Sequence, residues 1–170
     1  MEEQAVVKTP PHAPDAERSV LGSMLMDANA LELAAEQLKA EDFYAPAHET
    51  IFSAMVAVHS GGNVVDLVTT SAELTRHGML ERAGGLTYLS DLMSFVPTVA
   101  NVQNYIDLVE AKSVQRQLIR AGGDIARDGM NDEKELEQTL NDAERRIYDI
   151  SMRKVQDSLT PIEEIVPGAF

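Results

Sequence analysis

Apolar positions recur every three or four residues along nearly the whole chain, the spacing of helices that bury one face. After Pro10, Pro11 and Pro14, a first stripe is Ala16, Val20, Leu21, Met24 and Leu25, and a second is Leu31, Ala34, Ala35 and Leu38. Pro46 opens a third helix with His48, Ile51, Phe52, Met55 and Val58 on one face, ended by Ser60-Gly61-Gly62-Asn63. The β-branched run from Val64 to Thr70 has the composition of a strand. Asp66 instead predicts an N-cap for a helix carrying Leu67, Ser71 and Leu74 and ending at His77-Gly78. Gly84-Gly85 turns into a short helix with Leu86, Leu89, Leu92 and Met93. Thr98, after Pro97, caps a long helix to about residue 128. Gly129 and Asn131-Asp132 reverse the chain into a last long helix to about 152. No strand pair or internal repeat interrupts the pattern, which predicts an all-α protein.

The two long helices carry matched stripes. Ala111, Val114, Leu118, Ala121 and Ile125 are spaced 3, 4, 3, 4, and Leu136, Leu140, Ala143, Ile147 and Ile150 are spaced 4, 3, 4, 3. Around a short turn this predicts an antiparallel hairpin with a coiled-coil-like seam. Ile119 and Met130 lie off that seam and predict a second buried surface. Gly122-Gly123 costs roughly 1 kcal/mol per glycine inside a helix, which close approach of another backbone would offset. The hairpin therefore packs on its own globular part or on a neighbouring chain, with Leu118, Gly122, Leu136, Leu140, Ala143 and Ile147 as the packing candidates. Farther on, Thr160, Pro161 and Glu163 read as cap, first helical residue and capping box. Ile162, Ile165 and Val166 make that short helix amphipathic, and it needs a groove elsewhere to be stable. The expected organisation is a flexible arm over 1–14, a globular helical bundle over 15–110, the hairpin over 111–152, and a linker with a short helix over 153–170.

Charge narrows the function. The chain has 28 acidic and 14 Lys or Arg residues, a net charge of −14. Phosphate backbones are held mainly by Lys and Arg. The basic groups here, Arg116 with Arg120, and Arg145, Arg146, Arg153 and Lys154, are interrupted by Asp124, Glu144 and Asp149. Direct nucleic-acid binding is expected to be weak or absent. Without cysteine there is no disulfide, thiolate metal site or cysteine nucleophile. No apolar run is long enough to span a membrane, and the first residues lack the basic head and apolar stretch of a signal peptide. The expectation is a soluble, intracellular chain.

Catalytic motifs are missing: there is no GxxxxGKS/T phosphate loop, GxGxxG, HExxH or GxSxG. His12, His48, His59 and His77 have no metal-ligand spacing. His48 is expected as a satisfied core histidine, and Glu73 with His77 as a chance pair. Asp15 and Glu17 read as first-turn acids favoured by the helix dipole, and Glu41 and Asp42 as solvated loop acids. The expectation is no catalytic, cofactor or metal site.

Several ordered fragments carry a resemblance. These are Pro10-Pro11, Ala16-Glu17, Ser19-Val20-Leu21-Gly22, Asp42-Phe43-Tyr44, His48 and Ile51-Phe52, followed by Val65-Asp66-Leu67, Gly84-Gly85, Tyr88-Leu89, Pro97-Thr98, Ala100-Asn101 and Tyr105. From about residue 10 to 166 the chain resembles the opening of bacterial replicative DNA helicases of the DnaB family. The resemblance implies a helical domain and hairpin joined by a linker helix to a RecA-like ATPase, with ATP and magnesium bound in that motor domain. It implies a cytoplasmic hexamer whose N-terminal domains form a collar of three dimers and recruit primase through its C-terminal helicase-binding domain. Ile162, Ile165 and Val166 would then dock on the ATPase of the adjacent subunit, although Pro167-Gly168 should end that helix early. The sequence reads as the N-terminal fragment of such a helicase. Asp15, Tyr88, Ile119 and Ile125 are the candidates for the primase-facing or subunit-facing surface. Ile119 lies one residue off the seam, Ile125 lies near the hairpin tip, and Tyr88 is amphipathic and follows a glycine turn. The rival readings are a helical interaction domain unrelated to replication, and a small metal-dependent hydrolase, which would need Glu-x-x-His pairs that the sequence lacks.

Overall fold

Capping chemistry sets where the helices begin. The computed structural model describes residues 9–165, with side chains as far as Arg153. Helix α1 (Pro14–Met26) opens on a proline whose missing N–H would have had no helical partner. Asp27 ends α1 and caps α2 (Ala28–Gln37), its carboxylate accepting the Asn29 and Ala30 N–H groups at 3.4 and 3.3 Å. After a 3-10 turn at Ala40–Asp42, Pro46 opens α3 (Pro46–Ser60). Asp66 and Thr69 cap α4 (Leu67–Arg76) reciprocally: Asp66 Oδ1 accepts the Thr69 N–H at 2.8 Å, and Thr69 Oγ1 accepts the Asp66 N–H at 2.9 Å. Two orphan donors are satisfied at once, which is why the β-branched run starts a helix. Gly84, at φ +100°, supplies the left-handed turn into α5 (Gly85–Phe95).

Thr98 caps as expected, but the chain first makes a 3-10 turn (Val99–Asn101), and α6 runs Val102–Gly129. Helix α7 spans Leu136–Ile165. The sequence placed a break after 152 and a fresh helix start at Thr160; the backbone is instead one helix, with Pro161 inside it. Residues 152–159 contain neither glycine nor proline, so helix propagates through them, at the cost of the one bond that Pro161 cannot donate. The side chains of Ile162 and Ile165, and all of Val166, lie outside the described residues. Among the described residues there is no strand, as the periodicity predicts.

The chain forms two units, divided between Ser113 and Val114, with α6 running from one into the other. In the first unit the core is Val20, Leu21 and Met24 of α1 with Ile51, Met55, Leu74, Leu89, Leu92, Ile106 and Val109, each at most 2% exposed. Helix α1 meets α5 almost backbone to backbone. A Cβ on Gly22 would lie 2.2 Å from the Leu92 carbonyl oxygen and 2.6 Å from Val96 Cγ2, so only glycine fits.

In the second unit α6 and α7 form the hairpin, on only part of the expected seam. Leu118, Leu136, Leu140 and Ile147 are exposed by 45%, 73%, 56% and 44%. The sheltered positions are Val114, Gln117, Ala121, Asp124, Ile125 and Asp128 on α6, and Thr139, Asp142, Ala143, Arg146 and Ile150 on α7. Each apolar stripe lies obliquely to the inward edge: Val114, Ala121, Ile125, Ala143 and Ile150 are sheltered, and the rest of each stripe is exposed. Charged groups occupy part of the inward edge instead.

Candidate functional site

The rotation of the two stripes builds a surface. Antiparallel helices wind in opposite senses when viewed along one axis, so stripes displaced the same way in sequence fall on the same broad side of the hairpin. Leu118 and Gly122 of α6 and Leu136, Leu140 and Ile147 of α7 thus share one exposed face, with Ala143 and Ile125 half-buried at its inner margin. Nothing lies within 4 Å of where a Gly122 Cβ would be. The second unit therefore brings together all six residues expected to pack, and leaves five of them open to solvent. Ile119, 58% exposed, points away from this face, as do Tyr148 at 60% and Met130 at 85% near the turn.

The edge between the helices is fixed by ions. Arg146 Nη1 donates to Asp128 Oδ2 at 2.7 Å, and its Nε lies 3.9 Å from Asp124. Lys134 Nζ reaches Asp142 at 2.6 Å and Asp128 at 3.1 Å. Hydrogen bonds from Lys134 and then Arg146 hold the Asp128 carboxyl below its ordinary value. The bond to Asp142, then that to Asp128, raises Lys134, and Asp128 raises Arg146. Arg146, part of the basic run in the sequence, is thus engaged by aspartates, and Arg116 is buried.

The first unit holds a polar cluster that the sequence pattern conceals. The N-cap of α3 is Ala45, which has no side chain able to cap. Glu17 of α1 instead accepts the N–H groups of the two residues just before that helix, Tyr44 and Ala45, at 2.9 and 3.4 Å. Its Oε1 also meets His48 Nδ1 at 2.8 Å, and His48 Nε2 is hydrogen-bonded to the Tyr88 hydroxyl. Glu17 and His48 are only 2% and 4% exposed. His48 is the satisfied core histidine expected, and Glu17 lies in the first turn of α1 as expected, but buried. It precedes Val20, Leu21 and Met24 by three, four and seven residues, which places it on the buried stripe, and that spacing was the available signal.

Asp42 corrects the expectation of a solvated loop acid. It is fully buried, with Oδ2 accepting the Lys39 N–H and Oδ1 the Ser113 hydroxyl, both at 2.7 Å. It closes the 3-10 turn and ties it to α6. Nothing local in the sequence distinguishes it from Glu41, because its partner Ser113 is far along the chain. Of the remaining candidates, Tyr88 is half-buried over Gly84, and Asp15 is exposed in the first turn of α1, 3.8 Å from Arg18.

An open groove of about 580 Å³ between α3 and α4 includes Ser53, Ala57, Glu73, Leu74, His77 and Arg82 in its lining. Its Glu73 carboxylate is already engaged by Arg76 at 2.7 Å and His77 at 3.0 Å, which hold it below the ordinary range. Among the described residues no cluster of His, Asp or Glu could hold a metal ion, and no described helix is long and apolar enough to cross a membrane.

Comparison with known proteins follows the same outline. The family model described as the DnaB-like helicase N-terminal domain matches residues 9–111. The chain is 45% identical over 163 residues to the replicative DNA helicase DnaB of Geobacillus stearothermophilus, covering 96% of this chain and 36% of the relative. It is 40% identical over 163 residues to the replicative DNA helicase DnaC of Bacillus subtilis, with the same shares. The chain thus spans about a third of the length of these relatives. The crystal structure of the N-terminal domain of DnaB helicase from Mycobacterium tuberculosis superposes with a TM-score of 0.79 at 38% identity, covering 83% of this chain and 99% of that one. A DnaB-like replicative helicase, solved in a study of its interactions with primase, shares the fold with a TM-score of 0.70 at 21% identity, over 91% of this chain and 35% of that one.

Proposed function

The chain belongs to the family of DnaB-like helicase N-terminal domains, and on that premise we propose that it forms the collar of a replicative DNA helicase. In that role it joins subunits to one another and presents a docking surface to primase. The observation that carries the first part is the exposed hairpin face of Leu118, Gly122, Leu136, Leu140 and Ile147. Leu118, Leu136, Leu140 and Ile147 keep 44–73% of their surface exposed, and covering it with the same face of a second copy would remove that apolar surface from water, the driving force for association. The open space above Gly122 lets a second backbone come close. Dimers built on this face are the unit of a trimer of dimers or hexamer.

Primase docking draws support from the structural neighbour studied with primase. The candidate contacts are Asp15 and Tyr88 on the first unit and Ile119 and Ile125 on the second. The helicases that this chain matches unwind DNA, so ATP and magnesium would bind in an ATPase domain, against which Ile162, Ile165 and Val166 would dock from the adjacent subunit. The collar itself grips DNA weakly or not at all, in keeping with its acidic charge and its engaged arginines. The working site is the replication fork in a bacterial cytoplasm.

Light scattering behind a sizing column, over a range of concentrations and with a primase C-terminal helicase-binding domain added, tests the proposal. The expected result is a dimer or larger assembly that binds the primase domain, and a monomer for Leu140→Asp. Ile119→Asp is expected to weaken primase binding at unchanged helicity. A strict monomer at high concentration that ignores primase would overturn both roles.

A further inference from the structure

The base of the N-terminal arm is fixed beside an open groove. Ala13 packs on the core, and His12 stacks on Tyr44 with ring centroids 4.4 Å apart. Pro46 follows Tyr44 by two residues, a Cα separation of at most about 7 Å, and lines the groove between α3 and α4. A second pocket, of about 440 Å³, shares Ala57 and Glu73 with the first and continues it toward Gly61 and Arg76. Met79 in the first pocket, Ala57 between them and Val64 in the second give the path exposed apolar surface. Its charges balance, Glu49 and Glu73 against Arg76 and Arg82. Arg76 keeps 69% of its side chain exposed while it is paired with Glu73.

The residues before Thr9 carry a matching order of groups. From the fixed base backwards they are one cation, Lys8, then Val7, Val6 and Ala5, then Gln4, then two acids, Glu3 and Glu2. Extended chain from Lys8 to Glu2 spans roughly 20 Å, enough to follow α3, which rises about 16 Å from Pro46 to Ala57. Val6 and Val7 are β-branched and favour extended backbone, and Pro10 biases Thr9 the same way. We propose that residues 2–8 lie extended in this groove of their own chain. Lys8 meets Glu49, Val7 to Ala5 cover Met79 and Ala57, and Glu3 and Glu2 reach Arg76. In a chain of net charge −14, a groove of balanced charge is a surface that does not repel two acids. The short tether holds the arm at an effective concentration on the order of millimolar, so weak individual contacts suffice. The groove is then occupied by its own chain, and any partner that uses it must displace the arm.

A spin label on the arm of the whole chain tests this. The chain has no cysteine, so Gln4→Cys provides a single site for a nitroxide, whose unpaired electron broadens nearby amide signals. In isotope-labelled chain the amides of Ala54, Ala57, Glu73 and Arg76 should broaden severalfold more than those of α2. Val6→Asp with Val7→Asp should abolish that difference, while circular dichroism and the remaining amide positions stay unchanged. Equal broadening over α2, α3 and α4 would overturn the proposal, as would a difference that survives both aspartates. Mixing isotope-labelled chain without the nitroxide with unlabelled chain that carries it separates the two sources of the arm. No broadening is expected in that mixture. Broadening of the groove there would give it to the arm of a second copy and overturn the assignment to its own chain.

Discussion

At the scale of single residues, the first unit depends on a few positions where no substitute fits. Gly22 is one, because its missing Cβ lets α1 rest on the Leu92 carbonyl. Gly22→Ala should cost about 2–3 kcal/mol, because backbone rather than a flexible side chain must give way. Urea denaturation followed by circular dichroism would measure that loss, and an unchanged midpoint would show that α1 and α5 can part at no cost. Asp42 is another. Replacing it with Ala leaves the Lys39 N–H and the Ser113 hydroxyl without the carboxylate that now accepts from them, and the expected loss is about 2–3 kcal/mol. Ser113→Ala, which removes one of those donors and leaves the turn closed, should cost less in the same experiment. Both effects act on the bundle, so neither should change which surface the hairpin offers.

At the scale of elements, what the sequence revealed follows from the range of the interactions. Caps and glycine turns act over three or four residues, so the starts of α4 and α5 and the all-helical class are legible from Asp66, Thr69 and Gly84-Gly85. The hairpin is legible as a pair of stripes, but not its rotation, which depends on how Arg146 of α7 and Lys134 of the turn reach aspartates on the two helices. Burial of Glu17 was readable from its spacing to Val20 and Met24, whereas that of Asp42 was not, because its partner lies on α6. The ionic edge leads to a pH prediction. Because Asp128 is held below its ordinary value of 3.8 in the folded hairpin, its contribution is complete above that value. It is lost as pH falls below 3.8 through the depressed folded value. Proton exchange or thermal melting across that window should show the hairpin weakening with acid, and Asp128→Asn should remove this component. Salt should weaken the same edge, since these groups are partly exposed. A hairpin equally stable at both ends of the window would mean that apolar contacts alone set its register.

At the scale of the whole molecule, the question is whether the exposed hairpin face is covered by a second copy, and Gly122 separates the answers by sign. Alanine is better than glycine inside a helix by about 1 kcal/mol, and a methyl group there meets nothing within 4 Å in the single chain. Gly122→Ala should therefore stabilise the monomer, measured at concentrations dilute enough to keep copies apart. If two hairpins approach through this face, the same methyl group stands between their backbones, and self-association should weaken by about tenfold or more, the effect of slightly over 1 kcal/mol. Sedimentation of the variant and wild type over a shared concentration series reads the second effect, and denaturation of the dilute chains reads the first. Opposite signs in the two measurements would be hard to obtain from a general change in folding, since a more stable chain would otherwise be expected to associate at least as well. Equal association with a more stable monomer would place the contact between copies away from Gly122, and Leu136, Leu140 and Ile147 would then have to meet their partner from the α7 side alone.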